Sequence, residues 1–185
     1  MKKNRENYNQ LSKELESALK EHLFDQEDAI ETIVKTLIQS YMLESKSKVQ
    51  ALFTFIGTAN SGKHYACELL AKLYPKITQL KTFYMEQYSG EISDEQSFQK
   101  EVIAFVQNNP NAVLVFEDIE KADLQIQLAL YTLFTDYEKN EVDFSKIIVI
   151  VTTTSLSSLL QRKDVQKLLK TDPLQAHTFF ISLLT

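Results

Sequence analysis

Gly57, Gly62 and Lys63 stand at the spacing G-x-x-x-x-G-K, the residue types and interval that suit phosphate binding. Thr58, Ala59, Asn60 and Ser61 lie between them, and the apolar run Ala51–Ile56 leads in. Successive backbone N–H groups in such a loop make a nest for an anion. A helix starting there adds the positive end of its dipole. Lys63 supplies a charge for the outer phosphates. The 185-residue chain has only 3 glycines, so two at this interval weigh more than in a chain of average usage, roughly 7%. A surface turn entering a helix is the alternative. His64 follows Lys63, where a Ser or Thr would rest its hydroxyl on Mg²⁺. An imidazole is longer, prefers softer metals and crowds the ion. The expectation is altered Mg²⁺ handling at His64 with phosphate contact retained.

A second cluster is Glu117-Asp118, two adjacent carboxylates at the end of an apolar stretch from Val113 to Phe116. Phosphoryl hydrolysis uses one carboxylate near Mg²⁺, here Glu117, and another to orient the attacking water. The usual order is Asp then Glu, and here it is inverted. One methylene more, then one fewer, moves the water-orienting group by about 1 Å, enough to cost ~10²-fold. A solvated acidic turn is the alternative. A third cluster, Thr152 to Ser155, follows the apolar run 147–151. The single cysteine, Cys67, sits in a helix pattern after the loop and reads as a small buried side chain rather than a nucleophile. His22 and His177 lack partners at metal spacing, so neither marks a metal site.

Holding these clusters together requires a sheet. Leu11, Leu15, Leu19 and Leu23 predict a helix over 8–21, after a charged, frayed tail at 1–7. A break at Phe24-Asp25-Gln26 precedes a second helix, with Asp25 as its cap and Ile30, Ile33, Val34 and Leu37 on its apolar face. Strands are predicted at 51–56, 82–85, 112–116, 147–151 and 178–184. Helices between them fall at 63–74, 91–109, 124–137 and 157–170. Near-continuous apolar strands alternating with helices predict an α/β fold: a five-stranded parallel sheet with helices on both faces. Ligands of such sheets bind beyond the carboxyl ends of the strands, where all three polar clusters fall. Residues 8–185 form one domain.

With 44% apolar and 24% charged residues, the chain has an ordinary globular composition. A net charge of −5 argues against a nucleic-acid surface. One cysteine suits a reducing compartment. No apolar run approaches the ~18 residues of a membrane span, and the first ten residues are too polar for a secretory signal. The expectation is a cytoplasmic protein with no membrane partner.

Several stretches together resemble AAA+ ATPases, in the order seen there. They are Leu23 to Ile30, the glycine loop, Tyr84-Met85-Glu86-Gln87-Tyr88, Phe116-Glu117-Asp118-Ile119-Glu120-Lys121-Ala122, and Val142 to Val149. The pattern is most similar to the second nucleotide domain of Clp-type protein unfoldases, with torsins a related family, and covers residues 10–160. The resemblance implies a P-loop core, the AAA+ large subdomain, that takes ATP or ADP with Mg²⁺. Leu23 and Phe24 would flank adenine, and 57–64 would hold the phosphates. Glu117 and Asp118 would be the acidic pair, and Thr154 or Ser155 the polar sensor. Protein partners follow too: another AAA+ protein or a second copy.

Departures from the pattern point the other way. Asp25 replaces a glycine, His64 the hydroxyl, and the acidic pair is inverted. The stretch between Tyr88 and Asn111 is shorter and lacks the substrate-gripping aromatic-glycine loop. Arg5 and Arg162 are the only arginines, so no trans-acting arginine is evident, and no helical lid follows the fifth strand. The leading expectation is a degenerate Clp-like domain with weak or no hydrolysis that acts through protein contacts. An active ATPase subunit that remodels proteins is the alternative, and a structural module with an empty loop is the third.

Overall fold

The computed structural model describes residues 2–42, 49–89, 95–135, 142–155, 157–163 and 165. Residues 112–116 and 147–150 are buried on both faces, which is what helices packed above and below a parallel sheet require. The strands are β1 (Ala51–Ile56), β2 (Gln79–Tyr84), β3 (Ala112–Glu117) and β4 (Ile148–Thr153). They pair in parallel in the order β1-β4-β3-β2. Ile56 sits opposite Thr153, Phe116 opposite Val151 and Tyr84 opposite Glu117, so all carboxyl ends reach one edge of the sheet.

Alternation along each strand sorts the core into two halves. Val113, Val115, Ile148 and Ile150 face α1 (Lys2–Lys20), α2 (Glu27–Met42) and α3 (Lys63–Leu73), through Leu15, Leu19, Ile30, Leu37 and Leu70. Ala112, Leu114, Phe116 and Val149 face α4 (Glu95–Asn108) and α5 (Leu124–Thr135), through Phe98, Val102, Ile126 and Leu133. Each such aliphatic or aromatic side chain contributes about 1.5–3 kcal/mol on full burial. A turn of helix, α6 (Ser157–Leu160), follows β4.

The described sheet therefore has four strands rather than the predicted five; the predicted strand at 178–184 lies outside the described residues. The same is true of most of the helix predicted at 157–170. Helix α1 continues back to Lys2, through residues predicted to fray. Strand β4 runs two residues past its apolar segment, because the β-branched Thr152 and Thr153 are themselves buried, at 1% and 7% exposure. Strand β2 starts earlier, at Gln79, paired to Ala112 along the edge of β3. Asp25 does not cap α2. It stands two residues before Glu27 in the left-handed region, at φ 57°, and the Gln26 carbonyl accepts the Ile30 N–H. Among the described residues no helix is long and apolar enough to cross a membrane.

Candidate functional site

The glycine loop leaves β1 with the Gly57 N–H donating to the Thr153 carbonyl at 3.2 Å, which ties it to the end of β4. The chain then turns tightly. Ser61 N–H reaches the Thr58 carbonyl, and Asn60 and Gly62 take φ of 59° and 86°. A Cβ on Gly57 would lie 2.7 Å from Ser61 Oγ, so the glycine permits the close approach. Gly62 begins α3 with no side-chain cap, leaving the first-turn N–H groups to a ligand. Lys63 Nζ donates to the Gly57 and Thr58 carbonyls, both at 2.9 Å. The ammonium is folded onto its own loop and must swing away to meet a phosphate.

A cavity of about 510 Å³ opens beside this loop, within the range of small-molecule sites. Thr58, Ser61, Gly62 and Lys63 of the loop line it together with the apolar Leu23 and Ile30. Leu23 is where an adenine-flanking residue is predicted. Phe24 is not: it is 78% exposed and absent from the cavity wall. Ala59 and Asn60 are exposed and also off the wall. Gln26, Ser157 and Gln161 line the cavity without having been singled out by sequence. Gln26 could have been found by its nearness to Leu23. Ser157 and Gln161 carry no local signal, because only the return of β4 beside β1 brings them there.

His64 turns the other way, toward β3. Its Nδ1 lies 2.8 Å from Glu117 Oε2, and its Nε2 lies 3.4 Å from Glu68 Oε1. Asp118 takes a left-handed backbone, φ 55° and ψ 60°, and its N–H donates to Thr152 Oγ1. Its carboxylate pairs with Lys121 at 3.1 Å, and Lys121 also approaches Glu86. Two residues on, Glu120 Oε1 accepts from the Thr154 N–H at 2.7 Å and from its hydroxyl at 2.5 Å. Burial opposes ionisation of Glu120, yet hydrogen bonds from Thr154 outweigh it and pull the carboxyl down to about 2. Of the two candidate sensor residues, Thr154 makes this contact. Ser155 is exposed, its N–H donating to Thr153 Oγ1. Cys67 is buried at 1% exposure, and burial followed by the Glu117 charge pushes its thiol up to about 12.

A nucleotide fits these surroundings: an uncapped helix start and a lysine line a partly apolar cavity. Mg²⁺ does not fit as well. It demands a near-octahedral set of oxygens, whereas an imidazole occupies the hydroxyl position and engages the nearer carboxylate. Among the described residues no group of three or more His, Cys, Asp or Glu is placed to hold a metal.

No family model matches the chain. It is 27% identical over 171 residues to the ATP-dependent Clp protease ATP-binding subunit ClpE of Bacillus subtilis (strain 168), covering 82% of this chain and 24% of that one. It is 26% identical over 166 residues to chaperone protein ClpB of Clostridium perfringens (strain 13 / Type A), covering 79% of this chain and 19% of that one. The chain thus spans less than a quarter of the length of these curated relatives. Weak similarity over most of this chain, on a parallel α/β sheet with the glycine loop at its carboxyl edge, supports a Clp-type AAA+ relationship.

Proposed function

We propose that the chain is a Clp-like AAA+ domain, residues 8–185, that holds ATP or ADP, hydrolyses it weakly or not at all, and acts by docking onto protein. One observation carries this reading. Three positions on which hydrolysis would depend are tied to other residues of the chain: His64 to Glu117, Asp118 to Lys121, and Thr154 to Glu120. In this reading the amides of the loop 57–62 and the Lys63 ammonium hold the phosphates, and Leu23 covers one side of the base. Asp118, drawn toward Lys121, is not poised to orient a water, and Thr154 is committed to Glu120. The partner is another AAA+ subunit or a second copy of this chain, in the cytoplasm. The relatives' names, a protease's ATP-binding subunit and a chaperone, support a role among proteins.

Calorimetric titration with ADP, alongside phosphate release from ATP, tests this. ADP is expected to bind, and Lys63→Ala to weaken it by at least ~10-fold, about 1.4 kcal/mol. Phosphate release by the unmodified chain should not exceed that of Lys63→Ala. Turnover at the ~10 s⁻¹ typical of enzymes, abolished by Lys63→Ala, would overturn the reading. It would favour the second one, an active remodelling subunit, for which the retention of both carboxylates at the end of β3 speaks.

A further inference from the structure

We propose that His64 takes the seat of the divalent cation, so that the domain binds its adenine nucleotide in metal-free form. This rests on the nucleotide-binding reading above and specifies which form of the ligand the site selects. A carboxylate only accepts hydrogen bonds. Nδ1 of His64, 2.8 Å from Glu117 Oε2, therefore carries the hydrogen and has no lone pair to offer a metal there. The other ring nitrogen faces Glu68 Oε1 at 3.4 Å. Both nitrogens are thus turned to carboxylates rather than to the glycine loop.

The contact also crosses the site. His64 lies at the start of α3, which follows the glycine loop that leaves β1, and Glu117 ends β3, with β4 between those two strands. A side chain from the first turn of the helix closes onto the strand carboxylate with which a hydroxyl at that position would otherwise share Mg²⁺. With side chains 39% and 24% exposed, the pair is partly withdrawn from water; Nδ1 of His64 cannot turn to an arriving ion without breaking its bond, and one of the two Glu117 oxygens is taken by it. The phosphates are left to the loop amides and to Lys63, none of which needs a metal.

The full chain tests the idea in two ways. In calorimetry with ADP, the unmodified chain should bind at least ~3-fold more weakly in excess Mg²⁺ than in EDTA, because the ion competes for the free nucleotide, whereas His64→Thr should bind at least ~10-fold tighter when Mg²⁺ is present. The second measurement needs no variant. Adding the unmodified chain in excess to Mn²⁺–ADP should strip the nucleotide from the metal and raise the free Mn²⁺ signal in electron paramagnetic resonance. With His64→Thr that signal should fall instead. ADP binding by the unmodified chain that is equal or tighter in Mg²⁺, or retention of Mn²⁺ on its ADP complex, overturns this inference and leaves nucleotide binding standing. A failure of ADP to bind under any condition overturns both.

Discussion

Glu120 Oε1 accepts hydrogen bonds from both the backbone N–H and the hydroxyl of Thr154, clamping the end of β4 to the turn that follows β3. The two residues are 34 positions apart, so the clamp exists only in the folded chain. It holds the carboxyl near 2, against an ordinary value of 4.5. A carboxyl depressed on folding adds stability that is present above its unfolded value and is lost as pH falls through its folded one. The unmodified chain should therefore lose stability from about pH 4.5 downward toward 2. Glu120→Gln should be less stable at neutral pH by on the order of 1 kcal/mol, after allowing for solvent screening of a partly exposed group. Its stability should also fall less steeply over that acid range. Parallel acid titrations of denaturant midpoints measure both. Equal slopes for the two proteins would rule the clamp out as a source of acid sensitivity.

Much of this architecture is legible in sequence because the governing patterns are short. The buried run Ala112–Glu117 needs only its own residues to announce a strand covered on both faces. The glycine loop announces itself by spacing, and both end up at the same sheet edge. What the sequence does not display is pairing. His64 and Glu117 are 53 positions apart, and only the β1-β4-β3 order places the start of α3 within reach of the end of β3. The inverted acidic pair suggests a displaced water-orienting group. The left-handed backbone of Asp118 and its contact with Lys121 arise instead from the tight turn Ile119–Lys121. Gln161 joins the cavity for the same long-range reason.

Cys67 should be chemically silent in the folded protein. It is 1% exposed, and burial pushes the thiol up to about 12, while the thiolate is the reactive species. Alkylation by iodoacetamide at pH 8 should be negligible in native buffer and complete in denaturant. Rapid labelling of the native chain would show that the α3 face of the core opens readily.

Phe116 is the most consequential single core residue to truncate. It is fully buried, stacks on Phe83 at 5.1 Å and 12°, and meets Phe98 and Phe134 edge-on at 6.1 and 6.0 Å. Phe116→Ala removes the centre of that group from beneath α4 and α5. The expected loss is about 3–5 kcal/mol, read from urea denaturation. A loss below about 1 kcal/mol would mean that this face collapses onto the gap far more completely than close packing allows.

Two positions share one backbone region and should respond with opposite signs. Asp25, at φ 57°, and Gly62, at φ 86°, both lie in the left-handed region, where a residue with a Cβ is strained by roughly 1–2 kcal/mol and aspartate somewhat less. Asp25 is exposed and no side-chain hydrogen bond offsets its position as a cap would, so Asp25→Gly relieves strain, partly offset by the greater freedom glycine gives the unfolded chain. A gain of about 0.5 kcal/mol is expected. Gly62→Ala meets no atom within 4 Å, so its cost is the backbone's alone, about 1–2 kcal/mol. Sterics would predict no effect from Gly62→Ala, because the space around it is open. Thermal denaturation of the two variants therefore separates backbone strain from crowding: if Gly62→Ala is neutral, the left-handed entry to α3 is not a constraint on the loop.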